Sequence, residues 1–144
     1  MLRVLGVRSF ARTSLLSPSR NTLLSRTMSS APSKIQEIPD LAQFNKFIAS
    51  GEKLTVIDFY ATWCGPCKAL EPIFELLAER VPEVQFGRVD VDQAQDVSTE
   101  YGISSMPTII YFKNGAKVDT VIGANPPKIV QLISQHSGVD VASR

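Results

Sequence analysis

The sequence predicts an α/β fold, a central mixed five-stranded sheet flanked by helices on both faces. Three observations carry that reading. Apolar runs of strand length, above all Leu54 to Tyr60, alternate with stretches whose apolar residues recur every three or four positions. Two of the strand-like runs flank Asn114-Gly115, a tight-turn signal, so one pair is a hairpin within an otherwise crossover-connected sheet. The roughly 110 residues that follow a compositionally distinct N-terminal stretch suit one domain.

In chain order, Lys34 to Ile38 reads as a short edge strand. Asp40 caps a helix through Ile48, which Ser50-Gly51 stops. The strand 54–60 comes next. Beyond Cys67 the positions Leu70, Ile73, Phe74, Leu77, Ala78 and Val81 share a helical period, with Glu71, Glu75 and Glu79 on the other side. Pro72 falls inside that pattern and predicts a kink. A strand from Val84 to Val91 precedes a polar helix over Gln93 to Tyr101. Strands at Thr108 to Phe112 and Lys117 to Ile122 form the hairpin. Asn125-Pro126 opens the last helix, whose Ile129, Leu132 and Ile133 face inward while His136 is expected in solvent. No repeat, membrane-spanning run or Gly-rich phosphate loop appears.

Residues 1–30 differ from the rest. They hold five arginines (Arg3, Arg8, Arg12, Arg20 and Arg26), many serines and no acidic residue; the first carboxylate is Glu37. Leu2, Val4, Leu5 and Phe10 can form an apolar stripe beside the arginines. That is the composition of an organelle transit peptide, expected here to be mitochondrial and removed near Arg26 to Ser30, with a disordered tail as the alternative, and not of a secretory signal, which needs an unbroken apolar core. The full-length charge of +1 then becomes ten basic against fourteen acidic residues from Lys34 onward, a net of −4, which argues against nucleic-acid binding. The folded domain is expected at residues 34–140.

The chemistry centres on Cys64-Gly65-Pro66-Cys67, which contains the only two cysteines. Residues i and i+3 share a face of a helix, with Cα atoms about 5–6 Å apart, inside the range a disulfide accepts. A bridge over two intervening residues constrains little unfolded chain, so it suits electron exchange better than stapling. A structural zinc site would take four Cys or His ligands, and this chain offers three, counting the distant His136. Two inert buried cysteines are the remaining alternative; the strand–CxxC–helix order argues for a redox dithiol.

Cys64 at a helix N-terminus would have its thiolate favoured by unpaired N–H groups and the helix dipole. Cys67, one turn inside, should be more buried, making Cys64 the attacker and Cys67 the resolver. Gly65 lets a substrate backbone approach, and Pro66 fits the first helical turn because its missing N–H costs nothing there. Lys68 either adds local positive charge or is a solvated helix lysine. Asp58 lies mid-strand on the same face as Val56. A buried carboxyl raises its own pKa and could exchange protons with Cys67; alternatively it is structural, paired with a cation such as Arg88.

The segment Asp58-Phe59-Tyr60-Ala61-Thr62-Trp63-Cys64-Gly65-Pro66-Cys67-Lys68 resembles the active-site signature of the thioredoxin family. Val89-Asp90-Val91-Asp92, Tyr101-Gly102-Ile103, Met106-Pro107-Thr108, Phe112-Lys113-Asn114-Gly115 and Ile122-Gly123-Ala124 follow in the family's order, and the chain resembles its eukaryotic mitochondrial members. The resemblance covers residues 34–138 and implies the thioredoxin fold. It also implies a protein-disulfide reductase with Cys64 as nucleophile, Cys67 as resolving thiol and Asp58 as proton-transfer group. It further implies a cis peptide before Pro107, with Met106 offering its backbone to substrate, and a docking rim of Trp63, Gly102, Gly123 and Ala124. No bound cofactor is implied beyond the redox-active Cys64–Cys67 disulfide. Electrons would come from an NADPH-dependent, flavin-containing thioredoxin reductase. Peroxiredoxins, methionine sulfoxide reductases and other disulfide-containing proteins would be the clients of a monomer in the mitochondrial matrix. Tyr60 stands where many bacterial members carry Trp, and Arg88 where many carry Lys. A disulfide-forming or isomerising enzyme would usually have His in place of Pro66 and a secretory signal. A non-catalytic interaction module of the same fold would not need both cysteines and Asp58.

Overall fold

The computed structural model describes residues 33–144, so the expected transit peptide lies outside the described residues. Nine elements follow one another: β1 (Ile35–Glu37), α1 (Leu41–Ile48), β2 (Thr55–Tyr60), α2 (Gly65–Arg80), β3 (Gln85–Asp90), α3 (Gln95–Glu100), β4 (Thr108–Lys113), β5 (Ala116–Ile122) and α4 (Pro126–Ser137), with a final 3₁₀ turn at Val141–Ser143. Their sheet order is β1-β3-β2-β4-β5. β1 and β2 run parallel to β3, whereas β4 pairs antiparallel with both β2 and β5. The mixed five-stranded sheet of the sequence reading is therefore observed.

β2 is central and buried from Thr55 to Phe59, as expected for a strand covered on both faces. Its alternation divides the core. Val56 joins Leu70, Phe74 and Leu77 of α2 and Ile129, Leu132 and Ile133 of α4. Ile57 and Phe59 turn to the opposite face, against Phe44 and Phe47 of α1 and Val97 of α3. There the Phe44 ring lies 5.0 Å from Tyr101 and 5.6 Å from Phe112, centroid to centroid.

Local chemistry explains the helix starts. The Asp40 carboxylate accepts the Gln43 N–H at 2.8 Å, and Asn125 caps α4 by accepting from Lys128 N–H. α2 continues through Pro72 as one helix to Arg80. In the β4–β5 turn Asn114 (φ 53°) and Gly115 (φ 76°) both take the left-handed conformation that a type I′ hairpin needs. Gly87 on β3 meets a different demand: a Cβ there would stand 2.7 Å from Phe47 and 2.9 Å from Ile38, so a larger residue would force those side chains to shift.

The expectation of a solvated His136 is corrected. Its side chain is one-fifth exposed, with Nε2 3.1 Å from Asp119 Oδ2. Packing α4 against β5 brings the two together, a tertiary pairing that helical periodicity on α4 cannot reveal.

Candidate active site

The chain leaves β2 at Tyr60, turns through Ala61 to Trp63, and enters α2 at Cys64, so the cysteines sit at the carboxyl end of the central strand. Cys64 is the N-cap residue, with extended backbone (φ −82°, ψ 114°) and Pro66 in the first helical turn. Its Sγ accepts the Cys67 N–H at 3.2 Å. The two residues are joined as a disulfide with Cα atoms 5.3 Å apart, inside the separation their spacing predicted. Gly65 and Pro66 are exposed beside it.

Cys67 is the more buried partner only marginally, at 4% exposed against 5% for Cys64. The bridge holds both sulfurs in one small cluster with Ala61, lined by Tyr60, Val91 and Met106. What separates them is position along the helix. Only Cys64 stands at the N-terminus, where an amide donor and the helix dipole would support its thiolate after reduction.

The Met106–Pro107 peptide is cis, and Met106 packs on the cysteine cluster. Pro107 is buried, and its carbonyl accepts the Gly123 N–H at 2.8 Å, which ties the end of β5 to the same loop. Ala124 follows, exposed. Trp63 is 67% exposed, yet its indole is held by Nε1–H donating to Asp92 Oδ2 at 2.9 Å. Asp92 is in turn fixed by its N–H donating to Asp90 Oδ1. Gly102 (φ 61°) borders a separate hollow of 160 Å³ that also includes Ser105 and Ile122.

Sequence reasoning did not single out Asp92 as the support of Trp63, nor Ile122, which is 71% exposed one residue before Gly123. An isoleucine ending a half-buried strand carries no signal of that kind by itself. The acidic pair Asp90 and Asp92 at the end of β3 was visible but had no assigned partner.

Asp58 is buried on the sheet face that α2 covers, one alternation step nearer than Val56 to the end where Cys67 sits. Its Oδ1 has no hydrogen-bond partner among the described residues. Burial pushes its carboxyl up to about 7; the Arg88 charge opposes the shift, and Glu71 and Glu37 reinforce it. The structural alternative, a direct pair with Arg88, is not formed. Although Asp58 and Arg88 are register partners, the guanidinium donates to Glu71 Oε1 at 2.8 Å and lies 3.6 Å from Glu37 Oε2. A cavity of 260 Å³ opens on this side, lined by Tyr60, Thr62, Cys67, Lys68, Glu71 and Arg88. Lys68 thus stands near the dithiol at the rim of that cavity. Two larger concavities, 480 and 500 Å³, centre on Gln36, Phe47, Ser50 and Gln85 and touch neither cysteine.

His136, bonded to Asp119 of β5, is not brought to the cysteines. Among the described residues no helix is long and apolar enough to cross a membrane.

Comparison with known proteins agrees with this geometry. The family model described as Thioredoxin matches residues 35–135. A thioredoxin of Malassezia sympodialis is 48% identical over 105 residues, which is 72% of this chain and 99% of the relative. The crystal structure of Fasciola hepatica thioredoxin superposes with a TM-score of 0.70 at 39% identity, covering 71% of this chain and 99% of that one. Oxidised mitochondrial thioredoxin 3 from Saccharomyces cerevisiae gives a TM-score of 0.67 at 38% identity, over 70% of this chain and 94% of its own. With the disulfide at the mouth of α2 and the cis-proline loop packed against it, the chain belongs to the thioredoxin family: a thiol–disulfide oxidoreductase whose redox group is its own Cys64–Cys67 pair.

Proposed function

We propose that this protein-disulfide reductase works in the mitochondrial matrix, with Cys64 as nucleophile, Cys67 as resolving thiol and Asp58 as the proton-transfer group. The observation that carries the assignment is the Cys64 sulfur at the N-cap of α2, accepting a backbone N–H. In the reduced protein the Cys64 thiolate attacks one sulfur of a client disulfide. A Cys64–client bond forms, the client's own S–S bond breaks, and the first client thiolate leaves and takes up a proton. The Asp58 carboxylate then takes the Cys67 proton. The Cys67 thiolate attacks Cys64 Sγ, the Cys64–client bond breaks, and the second client thiolate leaves. Two electrons have passed to the client, and Cys64–Cys67 is oxidised. A flavin-dependent, NADPH-fuelled thioredoxin reductase then supplies two new electrons, which reduce the Cys64–Cys67 disulfide to two thiols. Gly65 and Pro66 leave the approach to Cys64 open, while Trp63, Met106, Pro107, Gly123 and Ala124 form the client-docking rim. Peroxiredoxins and methionine sulfoxide reductases fit as clients of a monomeric enzyme.

Residues 34–140 form the catalytic domain in this reading, and residues 1–30 the import address. The arginine-rich, acid-free composition of residues 1–30 and the likeness to a yeast mitochondrial thioredoxin support that location. The deciding experiment is a pair of serine variants. Cys67→Ser should accumulate mixed disulfides with clients, since nothing resolves them, whereas Cys64→Ser should neither turn over nor trap. Equal trapping by both variants, or by neither, would reverse or remove the assigned order.

A further inference from the structure

Arg88 and Asp58 face each other in register on neighbouring strands, and an arginine–carboxylate fork is among the strongest hydrogen-bonded pairs available to them. The guanidinium is nevertheless directed elsewhere, with Nη1 hydrogen-bonded and Nε left without a hydrogen-bond partner among the described residues. Nη1 donates to Glu71 Oε1 of α2 at 2.8 Å, Nε lies 3.6 Å from Glu37 Oε2 of β1, and the guanidinium carbon sits 4.0 Å over the Tyr60 ring. Tyr60 completes the ring of contacts by donating its hydroxyl to Glu37 Oε1 at 2.6 Å. Three elements other than its own thus grip one side chain. Ion pairs this open to solvent add little to stability, so the grip is better explained by where it holds the charge.

We infer that Glu71 is a positioning residue for the exchange reaction: with Glu37 and Tyr60 it holds Arg88 off Asp58, leaving that carboxyl free to accept and return a proton next to Cys67. The inference rests on the proton-transfer role proposed above for Asp58. Glu71 stands one helical turn beyond Cys67 and lines the same 260 Å³ cavity as Cys67 and Arg88. Released from Glu71, the guanidinium has the register to turn onto Asp58, and the cavity it lines leaves it room to move. A carboxylate caught in such a fork would stay ionised and lose its use as a proton carrier.

The charged groups that act on Asp58 are Arg88 from β3, Glu71 from α2 and Glu37 from β1, and Cys67 and Lys68 of α2 and Tyr60 at the end of β2 share the cavity that Glu71 and Arg88 line. On the β4 side the register partner of Asp58 is the apolar Ile109. Glu71→Gln weakens the grip, because a neutral amide oxygen accepts less strongly than a carboxylate, and removes a negative charge that favours the protonated form, so the two effects act in one direction. Glu71→Asp keeps the charge but shortens the reach by one methylene, which separates them.

The test reads Asp58 directly, by titrating its carboxyl carbon with NMR in the full-length protein, wild type and variants. Glu71→Gln should move the midpoint to lower pH by about half a pH unit or more. Glu71→Asp should move it the same way, and Arg88→Gln should move it to higher pH. The pH profile of the Cys67 step, followed by stopped flow with a model disulfide, should shift in parallel. An unmoved midpoint in Glu71→Gln overturns the inference. So does a Glu71→Asp midpoint equal to wild type, which would leave charge without grip. A kinetic profile that responds to Asp58→Asn but ignores Glu71→Gln sinks the positioning role alone. A profile indifferent to Asp58→Asn sinks the proton-transfer reading, and the positioning role with it.

Discussion

Asp58→Asn should stabilise the oxidised protein, and by an amount that grows with pH. The folded carboxyl titrates at about 7 against an ordinary 3.8, chiefly because burial penalises its charge. Between those values the folded state holds a proton that the unfolded state has lost, so stability is full below the unfolded value and falls as pH rises through the folded one. A tenfold difference in proton affinity between the folded and unfolded carboxyl is worth about 1.4 kcal/mol, so above the folded value the ionised aspartate costs roughly 4 kcal/mol as an upper bound. At about pH 5 the same linkage yields only about 1.5–2 kcal/mol, and the gain from Asn should therefore widen by about 2–3 kcal/mol by about pH 8. Urea melts of wild type and variant at the two pH values, with the disulfide intact, measure that widening. A gap that stays constant between them would mean that Asp58 does not titrate in this window, and the burial argument for its proton-transfer role would fall.

Gly87→Ala should cost about 1–3 kcal/mol, because the new Cβ would press on Phe47 and Ile38 within 3 Å; a thermal melt reads it directly. Trp63→Ala should change stability by less than about 0.5 kcal/mol, since the indole is mostly exposed, yet should raise KM for protein disulfides more than for a small one. Equal effects on large and small substrates would remove Trp63 from the docking rim. Deleting residues 1–28 should leave disulfide reduction in vitro intact and move a tagged form out of mitochondria; lost activity would make the extension part of the fold.

The elements that could be read in advance were those with local causes. Asp40 and Asn125 announce their helices because an Asx side chain caps the first turn within three residues. Asn114-Gly115 announces its hairpin because the turn itself needs left-handed backbone. α3 begins at Gln95 and not at Gln93 because both Gln93 and Ala94 N–H groups go back to the Asp90 carbonyl, a turn that polar composition does not separate from helix. The dithiol and Asp58 were legible from spacing and from a charge in an apolar strand. The grip on Arg88 was not, because Glu37, Tyr60, Glu71 and Arg88 meet only after three strands and a helix are in place. The same holds for Trp63 with Asp92, for His136 with Asp119, and for how small the difference in burial between the two cysteines is.

The direction of β1 has a practical side. Because β1 lies parallel to β3 and β2, with Ile35 level with Val56, the chain enters the sheet at the end remote from the cysteines. A protein linked to a bead or an electrode through Ser33 would therefore present its disulfide outward, toward the bulk. Coupling through an added residue beside Ala124 would press the same disulfide against the support. Immobilised preparations of the two kinds should differ in turnover for large clients and agree for small thiols.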